Sequence, residues 1–172
     1  MELRDFAEQV LYGKTLEEKL LLNPKVITDD ASATAFTMPD GPGRPNELRI
    51  SERGVKADFP GTNHLDDDRE RGKMLHFLAN HELLATELMA LVLLKFPNAP
   101  KEFRMGVFET LKEEQAHTLM YMRRMKDCGV EFGELPVNDY FWRAVAPMEQ
   151  PMDFVSRLSL VFEQANLDYS QH

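Results

Sequence analysis

The sequence predicts an all-α protein, built as an antiparallel helical bundle. Two long segments carry apolar residues at helical spacing, one from about residue 66 to Phe96 and one from about Pro100 to Cys128. The same spacing predicts a third helix over roughly 151–171 and an amphipathic N-terminal helix over 3–21. No segment shows the strict alternation of apolar and polar residues that is typical of a half-buried strand. The fold class therefore rests on helical periodicity along most of the chain.

The composition excludes several classes of protein. The chain has 172 residues, enough for one domain with a sizeable core, and its formal net charge is -9. Nucleic-acid binders usually carry a basic face, and a membrane span needs a run of about 18 or more apolar residues, so neither is expected. The charged N-terminus lacks the apolar run of a signal peptide, and a single cysteine, Cys128, suits a reducing compartment. We therefore expect a cytoplasmic protein.

The N-terminal part of the chain has a different composition from the rest. From about residue 23 to 65 the helical pattern gives way to segments rich in Pro, Gly and Asp, such as TMPDGPGRPNELRI and DFPGTNH. A connection of this length without regular structure is unusual inside a compact domain. We therefore predict that residues 1–65 form a helix and a long irregular arm, and that residues 66–172 form the helical bundle.

The two long helices have clear start and stop signals. The first begins after the Asp-rich segment LDDD and is stopped by Pro97. The second has Pro100 near its start and Gly129 just past its end, and the turn-rich segment GVEFGELPVNDYFW follows it. The connection between them, FPNAP, is short, so the two helices are predicted to be antiparallel neighbours.

Counting outward from this connection brings two glutamates to the same height. Glu82 lies sixteen residues before Asn98 and Glu114 lies sixteen residues after it. Apolar residues surround both at helical spacing, and His117 follows Glu114 by one turn on the same face. Buried carboxylates and imidazoles are costly unless something pairs with them. A Glu from one helix with Glu-x-x-His from the next is half of the dinuclear metal site of four-helix bundles, so we predict these three residues as metal ligands.

Several alternatives stay open for these residues. Glu113 adjoins Glu114, and a Glu-x-x-His motif alone is more often part of a solvated face than a ligand set. Glu87 is a competing ligand on the first helix, although its height fits less well. Tyr121, one turn after His117, is either a hydrogen-bond partner or electron relay beside the metal, or a core tyrosine. Carboxylates and imidazoles accept iron or manganese, so the ligand types do not identify the metal.

A complete dinuclear site needs a second half, and the third predicted helix offers one part of it. Glu163 has Leu160 and Leu167 around it, while Asp168 and His172 are weaker candidates for further ligands. The helical pattern then reaches the last residue without a stop signal. We expect either that the sequence is truncated before a fourth helix, which we favour, or that another chain supplies the missing ligands, as in a homodimer.

Six motifs, in a fixed order, carry a resemblance to a known family. They are VLYGKTLEEKL, GPGRP, HELLATELMALVLLKFP, ETLKEEQAH, GVEFGELPVNDYFW and FEQANLDYSQH. Together they resemble the ferritin-like bacterial family catalogued as the domain of unknown function 455. Members of that family typically continue with a further helix that bears an Asp-Glu-x-x-His type of motif, and this sequence stops before it. The resemblance therefore implies a ferritin-like bundle with three of its four core helices present.

The resemblance also implies a site and a chemistry. It carries the metal-site pattern of the family onto Glu82, Glu114, His117 and Glu163. More distant ferritin-like relatives include rubrerythrins and di-iron tRNA hydroxylases, which oxidise substrates or detoxify peroxide with an iron pair. A di-iron or manganese oxidoreductase that uses O₂ or peroxide, with a small-molecule substrate not yet identified, is therefore expected. The alternative is a non-catalytic helical module, without a complete metal site, that binds a partner or a second copy.

Overall fold

The described part of the chain contains six α-helices and two short 3-10 helices, Asn46–Leu48 and Thr62–His64. The structure is a computed structural model, and it describes residues 1–21, 24–25, 27–30, 36–51, 55 and 60–158. The helices are α1 (Leu3–Tyr12), α2 (Leu16–Lys19), α3 (Asp68–Lys95), α4 (Lys101–Asp127), α5 (Tyr140–Val145) and α6 (Pro151–Val155). Over these described ranges the strand-like pairings are two isolated bridges, Glu2 with Thr28 and Ile50 with Val137. The predicted all-α class is confirmed.

Helices α3 and α4 form an antiparallel hairpin at the centre of the molecule. The Asp67 side chain caps the start of α3 by accepting a hydrogen bond from the Glu70 N–H at 3.1 Å. Helix α3 ends just before Pro97, as predicted, and α4 begins directly after Pro100. Helix α4 ends at Asp127, two residues before Gly129, whose φ of 73° is a left-handed conformation that glycine adopts without steric cost. Local sequence signals therefore account for both ends of the hairpin.

Helix α3 is the core helix of the fold. Residues 83–94 are buried without interruption, because α4, α1, α5 and α6 cover different sides of the same helix. By length and composition alone α3 could cross a membrane, yet 78% of its most apolar stretch of 18 residues is buried inside the fold. A helix that is covered on all sides is apolar on all sides. The apolar character of α3 is thus explained by its place in the core.

The prediction of a single N-terminal helix over 3–21 is wrong, because the helix is interrupted at Gly13 and a second helix begins at Leu16. The Gly13 N–H bonds to the Gln9 carbonyl at 2.9 Å, and a Cβ added at Gly13 would lie 2.6 Å from that same oxygen. Thr15 then starts α2 with a capping box, in which it accepts from the Glu18 N–H at 3.2 Å and Glu18 accepts from its backbone N–H. The break redirects the chain so that Lys19 enters the core.

The irregular arm is tied to the hairpin by a buried arginine of α4. Arg104 donates two hydrogen bonds to Asp29 of the arm, at 2.9 and 2.8 Å. The same guanidinium donates to the carbonyls of Leu93 and Phe96, at 2.8 and 3.0 Å. These carbonyls lie at the end of α3, where the helix itself provides no N–H partner. One side chain therefore joins the arm, α3 and α4.

A second set of buried charges joins α2, the arm and α3, and we call it the Glu87 cluster. The Glu87 carboxylate binds Lys19 Nζ at 2.9 Å and Arg44 Nη2 at 2.7 Å, and the three side chains are 0%, 0% and 3% exposed respectively. Lys19 Nζ also donates to the Val10 carbonyl at 2.9 Å, and Arg44 Nη1 donates to Asn80 Oδ1 at 2.7 Å. Burial lowers the pKa of Lys19, and the Glu87 charge opposes that shift. Two cations thus share one carboxylate inside the core.

The chain beyond α4 contains one helix that the sequence did not predict. Helix α5 begins inside the segment predicted as turn-rich, and it buries Phe141, Trp142 and Val145 against the core. Helix α6 begins at Pro151 with a capping box between Gln150 and Asp153, and the chain continues as a π-helical turn over 156–158. The remainder of the predicted third helix, with Glu163, Asp168 and His172, lies outside the described residues.

His76 is a buried histidine of α3. Its side chain is 2% exposed, and its Nε2 accepts a hydrogen bond from the Gly133 N–H at 3.0 Å. The ring also packs edge-on against Phe132, with centroids 5.4 Å apart. Burial lowers the pKa of His76, and the Glu134 charge opposes the shift. The imidazole is therefore held neutral while it accepts from Gly133.

The Glu87 cluster yields a prediction about stability. Glu87→Gln removes the charge shared by Lys19 and Arg44, whereas Lys19→Met leaves Arg44 and Glu87 as a matched pair. Because stranded buried charges are costly, we expect Glu87→Gln to lower the free energy of unfolding by about 3–5 kcal/mol. Lys19→Met should lower the free energy of unfolding by a clearly smaller amount. Urea denaturation at pH 7 measures both, and equal losses would contradict Glu87 as the shared counter-charge.

His76 yields a prediction about pH. The histidine side chain has a pKa near 6.5 in the unfolded chain, and the pKa of folded His76 lies below that value. The contribution of His76 to the free energy of unfolding is therefore constant above about pH 6.5. Below it the unfolded chain takes up a proton first, and the free energy of unfolding falls by up to about 1.4 kcal/mol per pH unit until the folded pKa is passed. We expect His76→Gln to show a smaller fall between pH 7.5 and 5.5 than the wild type.

The control for this prediction is His64→Gln, since His64 is exposed in the loop before α3. That variant should keep the pH dependence of the wild type. Urea denaturation at several pH values provides the comparison, and it would count against a neutral buried imidazole if wild type and His76→Gln responded identically.

Candidate metal centre

The structure brings three of the predicted ligands together. Glu82 extends from α3, and Glu114 and His117 extend from α4. One ligand atom from each residue lies within 4.8 Å of the others. The short connection makes the helices antiparallel, and the constant rise per residue places positions at equal distance from the turn side by side. This cluster of two carboxylates and one imidazole is the candidate metal centre.

The centre lies at the edge of the hairpin rather than deep inside it. The Glu114 side chain is 16% exposed and the His117 side chain is 51% exposed. His117 Nδ1 lies 3.0 Å from Glu114 Oε2, which fixes one ring nitrogen beside the carboxylate. Glu82 is half-buried. The carboxylates are therefore partly sheltered, while the imidazole side of the centre is open to solvent.

Tyr121 lies one turn after His117, on the same side of α4. It is half-buried and packs with the cluster formed by Ala79, Met125 and Val130. The pKa of Tyr121 is raised, first by burial and then by the negative charges of Glu82 and Glu114. The hydroxyl is thus close enough to both carboxylates to be influenced by them, and it keeps its proton at neutral pH.

His81 borders the centre from the α5 side. Its ring stacks on Phe141, with centroids 4.5 Å apart and an interplanar angle of 10°. Burial lowers the pKa of His81, and the Glu114 charge opposes that shift. His81 precedes Glu82 in the sequence, but nothing in its own segment predicts the aromatic partner, because Phe141 comes from a distant part of the chain.

The competing ligand Glu87 does not join the centre. Both of its carboxylate oxygens are bound by cations, Oε1 by Lys19 and Oε2 by Arg44. Five residues along a helix turn a side chain well away from the face of the first one, so Glu82 and Glu87 point in different directions. The buried Glu87 carboxylate therefore pairs with cations of α2 and the arm. Glu163, Asp168 and His172 lie outside the described residues.

The donor set of the centre fits a divalent metal ion. Carboxylate oxygens and imidazole nitrogens are ligands that iron and manganese both accept, and a carboxylate can bridge two ions. Two carboxylates held close together in a half-buried place repel each other, and a cation offsets that repulsion. Three donors also leave coordination positions for further ligands. Glu82, Glu114 and His117 are the described residues that could hold the metal.

The fold and the cluster together define the class of this protein, an all-α helical protein with carboxylates and an imidazole gathered between its two long helices. The model of the family described as "Protein of unknown function (DUF455)" matches residues 5–172. The chain belongs to this family. No curated protein and no solved structure matches the chain.

Proposed function

We propose that this protein is a metal-dependent oxidoreductase with a dinuclear carboxylate centre of the ferritin-like type. The observation that carries the proposal is the convergence of Glu82, Glu114 and His117 within 4.8 Å, from two helices. A bound cation would offset the repulsion between the two carboxylates of this group. The proposed metal is iron or manganese, the proposed co-substrate is O₂ or peroxide, and the proposed location is the cytoplasm.

Glu163 is the proposed third carboxylate, and the course of the chain around α6 supports it. Lys95 donates to the Met148 carbonyl, so the chain reaches α6 near the turn of the hairpin. Residues of α6 and the following turn then line a groove with both long helices: Met89, Phe103, Gly106, Val107, Thr110, Phe154, Val155 and Leu158. The chain therefore moves away from the turn, in the direction of Glu114. Glu163 follows Leu158 by five residues in the sequence, and it is the carboxylate that we propose for this side of the centre.

Each residue has a distinct role in the proposed reaction. A metal pair bound here would supply redox chemistry with O₂ or peroxide. Glu82 and Glu114 would hold the metal ions through their carboxylates, and His117 would hold one of them through its imidazole. The open side next to His117, whose side chain is 51% exposed, gives small molecules access. Tyr121 keeps its proton because burial and the carboxylates raise its pKa, so its hydroxyl can donate a hydrogen bond toward the centre.

The first test of the proposal is metal content. Purified wild-type protein should contain iron or manganese, measured by ICP-MS, and Glu114→Ala should lose it because one carboxylate of the centre is gone. Glu113→Ala is the matched control, since Glu113 is the exposed neighbour on the same helix. Unchanged metal in Glu114→Ala would show that the ligand assignment is wrong. A wild type that stays empty even after dialysis against Mn²⁺ would favour the non-catalytic helical module.

The second test concerns Glu163. Glu163→Gln should lower the amount of Mn²⁺ bound at saturation, or weaken its binding, because the amide cannot bridge two cations as a carboxylate does. Asp168→Asn is the comparison, since Asp168 is the weaker candidate from the same segment. Equilibrium dialysis with Mn²⁺ measures both variants. If Asp168→Asn lost metal and Glu163→Gln did not, the third carboxylate would be Asp168.

A further inference from the structure

One lysine of the N-terminal region contacts both helices that carry the candidate metal centre. The Lys19 ammonium binds Glu87 of α3 at 2.9 Å. The backbone carbonyl of the same residue accepts a hydrogen bond from Gln115 Nε2 of α4 at 2.6 Å. All three side chains are 0% exposed. We call this chain of contacts, from Glu87 through Lys19 to Gln115, the Lys19 brace.

The brace is attached close to the proposed ligands on each helix. Gln115 directly follows Glu114, and Glu87 is a little over one turn after Glu82. Neighbouring residues of a helix point in different directions, so Gln115 faces Lys19 while Glu114 faces the centre. A contact that fixes the direction of Gln115 therefore fixes the rotation of α4 that presents Glu114. In the same way, the contact between Lys19 and Glu87 fixes the rotation of α3 that presents Glu82.

Gln115 is poorly explained by stability alone. Its Nε2 donates to Lys19, but its Oε1 finds no hydrogen-bond partner among the described residues. A buried amide oxygen without a partner is costly, and an apolar side chain of similar size would avoid that cost. What the amide does provide is a link from α4 to the residue that also holds α3. The contacts of Gln115 thus connect α4 to Lys19, and through Lys19 to α3.

We propose that Lys19, acting through Glu87 and Gln115, is a positioning residue for the metal centre. The brace sets the rotation and separation of α3 and α4, and thereby the distance from Glu82 to Glu114 and His117. Metal–ligand distances tolerate deviations of only about 0.2 Å, so a small shift of one helix lowers metal affinity. This inference rests on the proposed function, because it needs a metal at the centre.

The test measures Co²⁺ binding to the purified full chain, with the visible absorption of bound Co²⁺ as a report of its coordination geometry. Gln115→Leu cuts the brace at α4 without stranding a charge, and Lys19→Met cuts it at α3 while Arg44 still pairs with Glu87. We expect each variant to bind Co²⁺ about 10–100-fold more weakly than the wild type, as is typical when residues that support metal ligands are lost. The absorption spectrum of bound Co²⁺ should also change.

Val145→Ala is the control, because Val145 is fully buried in α5 and takes no part in the brace. It should lower stability yet keep the wild-type Co²⁺ spectrum, which separates positioning from general destabilisation. Wild-type affinity and spectrum in both brace variants, or the same spectral change in Val145→Ala, would overturn the brace while leaving the metal centre intact. A wild type that binds no Co²⁺ would overturn the metal centre and the brace together.

Discussion

The burial of the Glu87 carboxylate is the constraint on which the rest of this structure depends. Residues 83–94 of α3 are all buried, so the charge of Glu87 has no access to water and needs cations within the fold. Lys19 and Arg44 supply them from α2 and the arm. The N-terminal region is therefore held against the hairpin by an electrostatic requirement of α3, in addition to the apolar contacts of α1. This explains how the described residues of the arm are held in place although they have little regular structure.

Two glutamates of one helix have opposite roles because their neighbours differ. Glu87 meets two cations from the N-terminal region, and its charge is satisfied inside the protein. Glu82 meets Glu114 and His117 of α4, in a place that collects negative charge and ligand atoms. Residue type and helical setting are nearly the same for both. The difference arises from which part of the chain covers each side of α3, and it separates a structural carboxylate from a candidate metal ligand.

Much of the hairpin and of the candidate centre follows from local rules. Pro97 and Gly129 stop the long helices, and a short turn with a constant rise per residue makes Glu82 and Glu114 level with each other. The N-terminal helix was mispredicted because apolar periodicity continues across Gly13, although the capping signal of Thr15 with Glu18 was present in the sequence. Helix α5 was missed since six residues are too few to show a period. Whether such a short helix forms depends on the residues that it packs against in the folded protein.

The sequence by itself determined the all-α class, the antiparallel hairpin and the grouping of Glu82 with Glu114 and His117. Only the tertiary structure decided that Glu87 belongs to a buried ion cluster and that His81 stacks on Phe141. Helical periodicity states which side of a helix a residue occupies, and a short turn states which helix lies next to it. Neither states which distant segment covers a given side. Contacts such as that of Lys19 with Glu87 form between residues far apart in the chain, where no local pattern records the partner.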